Sequence, residues 1–308
     1  MNRPLVICGP TASGKTAVAV AIAKAAPPAA LINADSRQTM HTLTRATFQP
    51  TGGELQGIPC HLAGVRAPDE EWTAATWCWN AEQCLRTLAE QHVWSIVVGG
   101  TGLYVRGLAN GYSFPGDAPD PHSRRELEQQ WSRGSGRERL LEEVGRAGVA
   151  VQAPFDAANP RRVIRALERM RSGVAAVPRD EASRGFGIYG IWVPKAILLD
   201  RIRKRVEWMF RSGAVADDIA DGRNAGLADG VIAGSGIGYR EWLACEAGLC
   251  STEDAISRAV QRTARYAKQQ RTWFRHEPGI EWILGDRHTA DIAGEILHRE
   301  HVRAASIG

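Results

Sequence analysis

The chain has 308 residues, 44% hydrophobic and 23% charged, the balance of a globular protein with one large domain or two modest ones and not of a disordered or fibrous chain. Its formal net charge of +4 is too small to imply a polyanionic partner by itself, so the placement of basic residues matters more than their sum. The most apolar stretch, 17–30, is interrupted by Lys24, Pro27 and Pro28 and is too short to cross a bilayer, and the six cysteines form no CxxC pair, so the chain reads as a cytoplasmic protein with reduced thiols.

Leu5 to Cys8 is an apolar run followed by glycine, which suits a buried parallel strand. Residues 16–26 are rich in alanine and stop at Pro27, which predicts a helix. Ala30 to Ala34 reads as a second buried strand and Ser95 to Val98 as a third. Between them 73–90 reads as a helix, with Ala75, Trp79, Leu85 and Leu88 facing inward. Buried strands alternating with helices predict an α/β fold, a P-loop NTPase-like parallel sheet flanked by helices. Residues 115–121, PGDAPDP, form a turn cluster, after which the chain is charged and helical; Asn159-Pro160 opens another helix as N-cap and first residue. An apolar strand returns at 187–193, and 196–276 is again mostly helical. The expected organisation is a catalytic core of 1–116 and 186–308 with a helical insertion domain at 117–185.

The strongest motif is Gly9-Pro10-Thr11-Ala12-Ser13-Gly14-Lys15-Thr16, which fits G-x-x-x-x-G-K-[ST] between a predicted strand and a predicted helix. Its glycines permit the backbone to turn successive N–H groups inward as an anion nest, and the helix N-terminus adds partial positive charge. Lys15 reaches an outer phosphate, and the Thr16 hydroxyl can ligate Mg2+. Most such loops hold ATP or GTP, so the default is nucleotide binding and a kinase or NTPase. Against that default, the third predicted strand ends in Val98-Gly99-Gly100-Thr101-Gly102 without the acidic residue that holds the metal in P-loop NTPases, and no arginine-rich lid segment is evident. A diphosphate leaving group is the other occupant such a cradle suits.

Six blocks resemble, in family order, the tRNA dimethylallyltransferases (tRNA isopentenyltransferases): GPTASGKT at 9–16, ADSRQ at 34–38, VVGGTGLYVRGL at 97–108, NPRRVIRALE at 159–168, GIGYRE at 236–241 and RYAKQQRTWFR at 265–275. The resemblance implies a prenyltransferase with a P-loop core, an insertion that grips the anticodon stem-loop, and dimethylallyl diphosphate and tRNA as substrates. By that similarity Asp35 is the general base for an adenine amine, a poor nucleophile whose lone pair is delocalised. Thr101 contacts the target nucleotide, and Arg205 binds the diphosphate together with the loop. Without the resemblance Asp35 reads as a turn residue, Thr101 as a helix cap and Arg201, Arg203, Lys204 and Arg205 as a solvated helix face. The resemblance also implies RNA contacts from Asp35, Ser36, Arg37, Gln38, Thr101, Arg124, Arg162, Arg165, Gly238, Tyr239 and Arg240.

Two helices are strongly basic. In 159–171, five arginines surround Val163, Leu167 and Met170; in 258–275, Arg258, Arg262, Arg265, Lys268, Arg271 and Arg275 interleave with Tyr266, Trp273 and Phe274. Segregated charge in a nearly neutral chain favours RNA, and the target adenine would have to leave its stack. The chain departs from the family pattern at Met40, Thr42, Thr44, Gln49, Cys60, Gly64 and Ser235. Competing readings are an isopentenyltransferase acting on free adenine nucleotides, a P-loop kinase, and a silent RNA-binding paralogue. A single chain acting as a monomer is expected.

Overall fold

A computed structural model describes residues 3–109, 121–146, 160–171 and 185–306. β1 (Leu5–Cys8) is fully buried and runs through the glycine loop into α1 (Lys15–Ala25), which starts behind Gly14 in a left-handed backbone (φ 87°). There follow β2 (Ala29–Asn33), α2 (Gly52–Leu55), β3 (Cys60–His61), α3 (Ala74–Glu90), β4 (Trp94–Gly99) and α4 (Gly102–Ala109). Next come α5 (Pro121–Trp131), α6 (Gly136–Arg146) and α7 (Pro160–Arg171). The chain then enters β5 (Gly187–Trp192), α8 (Lys195–Arg211), α9 (Ala214–Asn224), α10 (Asp229–Ser235), α11 (Tyr239–Glu246), α12 (Thr252–Arg275), β6 (Glu281–Leu284) and α13 (Thr289–Ala305).

The six strands form one parallel sheet in the order β3-β2-β4-β1-β5-β6. That order decides where the site lies. β2, β4 and β1 are neighbours, so the segments leaving their carboxyl ends (34–38, 99–102 and 9–16) emerge side by side, at the edge where parallel sheets bind ligands. Ala34 donates to Val98 O at 2.8 Å and accepts from Thr101 N at 3.1 Å, which locks two of those exits together. Gly99 is required by this approach: a Cβ there would fall 2.1 Å from the Ala34 carbonyl.

Four features differ from the sequence-based expectation. The third strand in chain order is β3, whose two residues, paired with Leu31 and Ile32, are too short to show any hydrophobic pattern; the expected third strand is β4. β6 and α13 close the far edge and were not anticipated. In α3 the buried side chains are Trp77, Cys78, Ala81 and Leu88, while Ala75 faces solvent, Leu85 is half-buried and Trp79 is 61% exposed. The phase of that helix is set by Trp77, whose indole N–H donates to Asn33 O at 2.9 Å and whose ring stacks on Tyr104 at 4.4 Å.

Contacts divide the chain into Met1–Tyr112 with Asp180–Gly308, and Ser113–Arg179. In the second unit α5, α6 and α7 bury Leu127, Leu140, Val144, Val163, Ile164 and Leu167 against one another. The 115–120 part of the turn cluster and the Asn159 cap lie outside the described residues. Among the described residues none of the six cysteines forms a disulfide. Among the described residues no helix is long and apolar enough to cross a membrane.

Candidate active site

Thr11, Ala12, Gly14, Lys15 and Thr16 of the glycine loop line a cavity of about 400 Å3, together with Asp35, Arg37 and Gln38 from the β2 exit and Arg205 and Met209 from α8. Its remaining wall includes Phe48, Ile237 and Tyr266. Gly9, Pro10 and Ser13 are buried and absent from the cavity wall, and the Ser13 hydroxyl has no hydrogen-bond partner among the described residues. Among the described residues the Lys15 ammonium has only the Pro10 carbonyl within reach, at 3.4 Å. Burial lowers its pKa, an effect that Asp35 opposes and Arg205 reinforces.

Asp35 sits in a turn built by its neighbours. Asn33, itself buried, accepts from Asp35 N at 3.1 Å and donates from its amide to Asp35 O and Leu62 O, both at 3.1 Å. One carboxylate oxygen of Asp35, Oδ1, accepts from Arg37 N at 3.1 Å, and Oδ2 accepts no hydrogen bond from any described residue. That leaves one acceptor oxygen of a cavity-lining carboxylate open to a ligand.

Arg205 reaches the loop at Thr11 Oγ1 (3.4 Å), and its guanidinium lies 3.5 Å from the centre of the Phe48 ring. Burial pulls its pKa down to about 10, with Asp35 and Glu54 acting in the opposite sense. A half-buried cation stacked on an aromatic face, with no carboxylate partner among the described residues, is set to accept an anion.

Gln270 of α12, which sequence reasoning passed over, joins two of the strand exits. Its buried side chain accepts from Thr11 N at 2.8 Å and donates to Gly100 O at 2.9 Å. A glutamine amide can do both at once, whereas Gln270→Leu leaves a loop N–H and a carbonyl unpaired in a dry site. We expect that variant to lose about 1–3 kcal/mol of stability, read by urea unfolding; an unchanged midpoint would mean the loop is held by other contacts.

Several expected RNA-contact residues have internal partners. Thr101 is absent from the cavity wall; its hydroxyl accepts from Ser36 N at 2.9 Å and lies 3.3 Å from Ser36 Oγ, so it shapes the Asp35 turn from beneath. Arg37 donates to the Gly234 and Ser235 carbonyls, and Gln38 to those of Thr47 and Phe48. The expected contact at Gly238 and Tyr239 is corrected: both are buried, Tyr239 completely, with its hydroxyl 2.8 Å from Asp218 Oδ2 and 2.9 Å from Leu43 O. From the same segment it is Gly236 and Ile237 that line the cavity, and Arg240 is exposed. Tyr239 thereby ties the 43–46 loop to α9, and Tyr239→Phe should cost about 1–2 kcal/mol of unfolding free energy, read as a lowered melting temperature.

In the second unit Arg124 makes a two-pronged ion pair with the buried Glu168 at 2.8 and 3.1 Å, and Arg165 meets the same carboxylate at 3.2 Å. The Arg162 side chain lies outside the described residues. On α12 Phe274 is fully buried and Trp273 carries the Arg106 guanidinium over its ring at 4.3 Å, so neither is an open stacking platform. Among the described residues no cluster of three or more His, Cys, Asp or Glu side chains is positioned to hold a metal ion.

A glycine-loop cradle, two half-buried cations and a carboxylate with an open oxygen, gathered around one cavity at the carboxyl edge of a parallel sheet, define a P-loop α/β protein. Residues 39–277 match the family model described as IPP transferase, and residues 3–61 that described as isopentenyl transferase. The chain is 34% identical to tRNA dimethylallyltransferase 1 of Pelobacter propionicus, over 92% of this chain and 93% of that protein. It is also 34% identical to the tRNA dimethylallyltransferase of Koribacter versatilis, over 96% and 98%. A solved tRNA isopentenylpyrophosphate transferase from Bacillus halodurans superposes with a TM-score of 0.69 at 28% identity, covering 99% of this chain and 96% of that one. The chain belongs to the tRNA dimethylallyltransferase family.

Proposed function

We propose that this chain transfers a dimethylallyl group from dimethylallyl diphosphate to the N6 amine of the adenosine 3′-adjacent to the anticodon in tRNA, releasing diphosphate. The observation that carries this reading is that Lys15, Arg205 and Asp35 line one cavity, pairing cations for a departing diphosphate with a carboxylate for an incoming amine. The N6–C bond forms as the allylic C–O bond breaks. The bonding pair of that C–O bond leaves on the diphosphate, and the amine proton passes to Asp35 and on to solvent. Lys15, Arg205 and the loop amides stabilise the charge that develops on the leaving oxygen. Gly9, Pro10 and Ser13 serve the loop's shape and not its ligand face. The apolar side chains of Phe48, Met209 and Ile237 supply a wall that suits a five-carbon allyl group and excludes water from it.

The cavity suits a magnesium ion in its chemistry, since Thr16 and Asp35, both hard oxygen donors, are among the residues that line it. Thr16 would hold Mg2+, with diphosphate oxygens and water as its other ligands, and the ion would neutralise charge on the diphosphate. A monomer is the proposed working unit. The Ser113–Arg179 unit is read as the part that grips the anticodon stem-loop, and the Asp35–Gln38 turn, Thr101 and Arg240 as further residues of RNA recognition, with Thr101 acting through Ser36. Purified protein incubated with labelled dimethylallyl diphosphate and either bulk tRNA or AMP tests the whole proposal. Label in tRNA alone is the expected result. Label in AMP would assign the free-nucleotide reaction, and ATP hydrolysis with no prenylated product would assign a kinase-like activity.

A further inference from the structure

One aromatic residue of the cavity wall stands in a backbone conformation that aromatic residues seldom adopt. Phe48 has a φ of 53°, in the left-handed region, where a bulky side chain crowds the backbone and costs energy. Hydrogen bonds on both sides hold it there. Phe48 N donates to Arg45 O at 3.1 Å and Gln49 N to Thr44 O at 3.0 Å. From the cavity wall, the Gln38 amide donates to Phe48 O at 2.6 Å and to Thr47 O at 3.2 Å. Such strain persists where the surroundings enforce it, and it clusters at working sites. What this turn secures is the placement of the ring.

The half-buried Phe48 ring lies against α8, with the Arg205 guanidinium 3.5 Å from its centre and the Trp208 ring tilted against it at 5.3 Å. Arg205 needs such a support. Asp35 and Glu54 line the same cavity and both favour the charged guanidinium, so a guanidinium free to swing would pair with one of them. Pairing with Asp35 would occupy the carboxylate that receives the amine proton, and pairing with either would turn the cation away from the glycine loop. Among the described residues neither pair forms. Arg205 donates instead to Thr11 Oγ1 of the loop at 3.4 Å, and Glu54 accepts from Thr51 N at 2.9 Å in the capping box of α2. The face of a phenyl ring attracts a cation without neutralising it, which a carboxylate cannot do.

We infer that Phe48 is a positioning residue, whose ring keeps the Arg205 cation unpaired and aimed at the glycine loop for the departing diphosphate. This rests on the functional reading above and deepens it. Gln38 ties the device to the base, because Gln38 N donates to Asp35 O at 3.0 Å while its side chain pins the Phe48 carbonyl. One run of contacts therefore passes from the Asp35 turn through Gln38 and Phe48 to Arg205 and Thr11, so the group that takes the proton and the group that meets the leaving charge are held in one frame.

The test is a double-mutant cycle on prenyl transfer, with kcat/KM for dimethylallyl diphosphate measured at saturating tRNA. Phe48→Leu keeps an apolar wall and a strained backbone but removes the ring face. It should lower kcat/KM about 3- to 30-fold, the range of a desolvated cation–ring contact. Phe48→Tyr keeps the face and should stay within about twofold of the unaltered protein. In an Arg205→Gln background Phe48→Leu should cost nothing further, because the ring has no cation left to hold. Affinity for tRNA, read by filter binding, should be the same throughout. Equal losses in both backgrounds would make Phe48 part of the apolar wall alone and overturn the proposal, as would a Phe48→Tyr protein as slow as the Phe48→Leu one. If Phe48→Leu does not fold, Phe48→Met takes its place in the cycle. These outcomes leave the assigned reaction standing, whereas unaltered protein that transfers no label to tRNA overturns the functional reading itself.

Discussion

Asp35→Asn should lower the single-turnover rate of prenyl transfer by about 10²–10⁴, the range of a positioned general base, while tRNA affinity changes by no more than a few-fold. Asparagine has the size of aspartate and keeps a side-chain oxygen for the Arg37 amide, which the Asp35 carboxylate accepts at 3.1 Å. The Asn33 bracing uses only the backbone of residue 35, so the turn survives the substitution. What is lost is the negative charge and the second acceptor oxygen, the one no described residue occupies. Rapid-quench measurement with labelled dimethylallyl diphosphate gives the rate, and filter binding gives the affinity. A rate within tenfold of the starting protein would remove Asp35 from proton transfer. A matching loss of affinity would make it a recognition residue instead.

The parts of this site readable in the sequence are those whose chemistry is local. The glycine loop lies within eight consecutive residues between a strand and a helix, and Asp35 follows directly on a buried strand, so spacing alone places both at the edge of a parallel sheet. Gln270 is different in kind. It braces Thr11, 259 residues away, and nothing in the basic, aromatic stretch around it distinguishes a buried amide from a solvated one. Tyr239 illustrates the opposite error. Its place in a motif resembling an RNA-binding segment suggested an outward contact, but its ring fills the core and its hydroxyl is engaged by Asp218 and Leu43. Arg124 and Arg165 are paired with Glu168 for a similar reason: charge is legible in the sequence, whereas the partner of a charge is fixed by which helices pack together. The inward face of α3 was misjudged because Trp77 and Trp79 are both plausible core residues, and only the Asn33 carbonyl selects Trp77.

Lys15→Met should separate binding from stability, because the same burial acts on the two in opposite directions. In the free protein the half-buried Lys15 side chain has a single carbonyl within reach among the described residues, at 3.4 Å, and its desolvation disfavours the charged form. Methionine has a similar length and no charge to desolvate, so the free variant should melt at the same temperature or higher. With diphosphate present the balance reverses, since the ammonium then faces the charge that develops on the leaving group. Removing such a preorganised donor should cost about 10²–10³ in rate, with weaker dimethylallyl diphosphate binding and unchanged tRNA affinity. Thermal melts with and without dimethylallyl diphosphate make the contrast visible, because the ligand should raise the melting temperature of the starting protein far more than that of the variant. A variant that melts lower without ligand, yet is stabilised by diphosphate as strongly as before, would make Lys15 a structural residue and move the leaving-group site elsewhere.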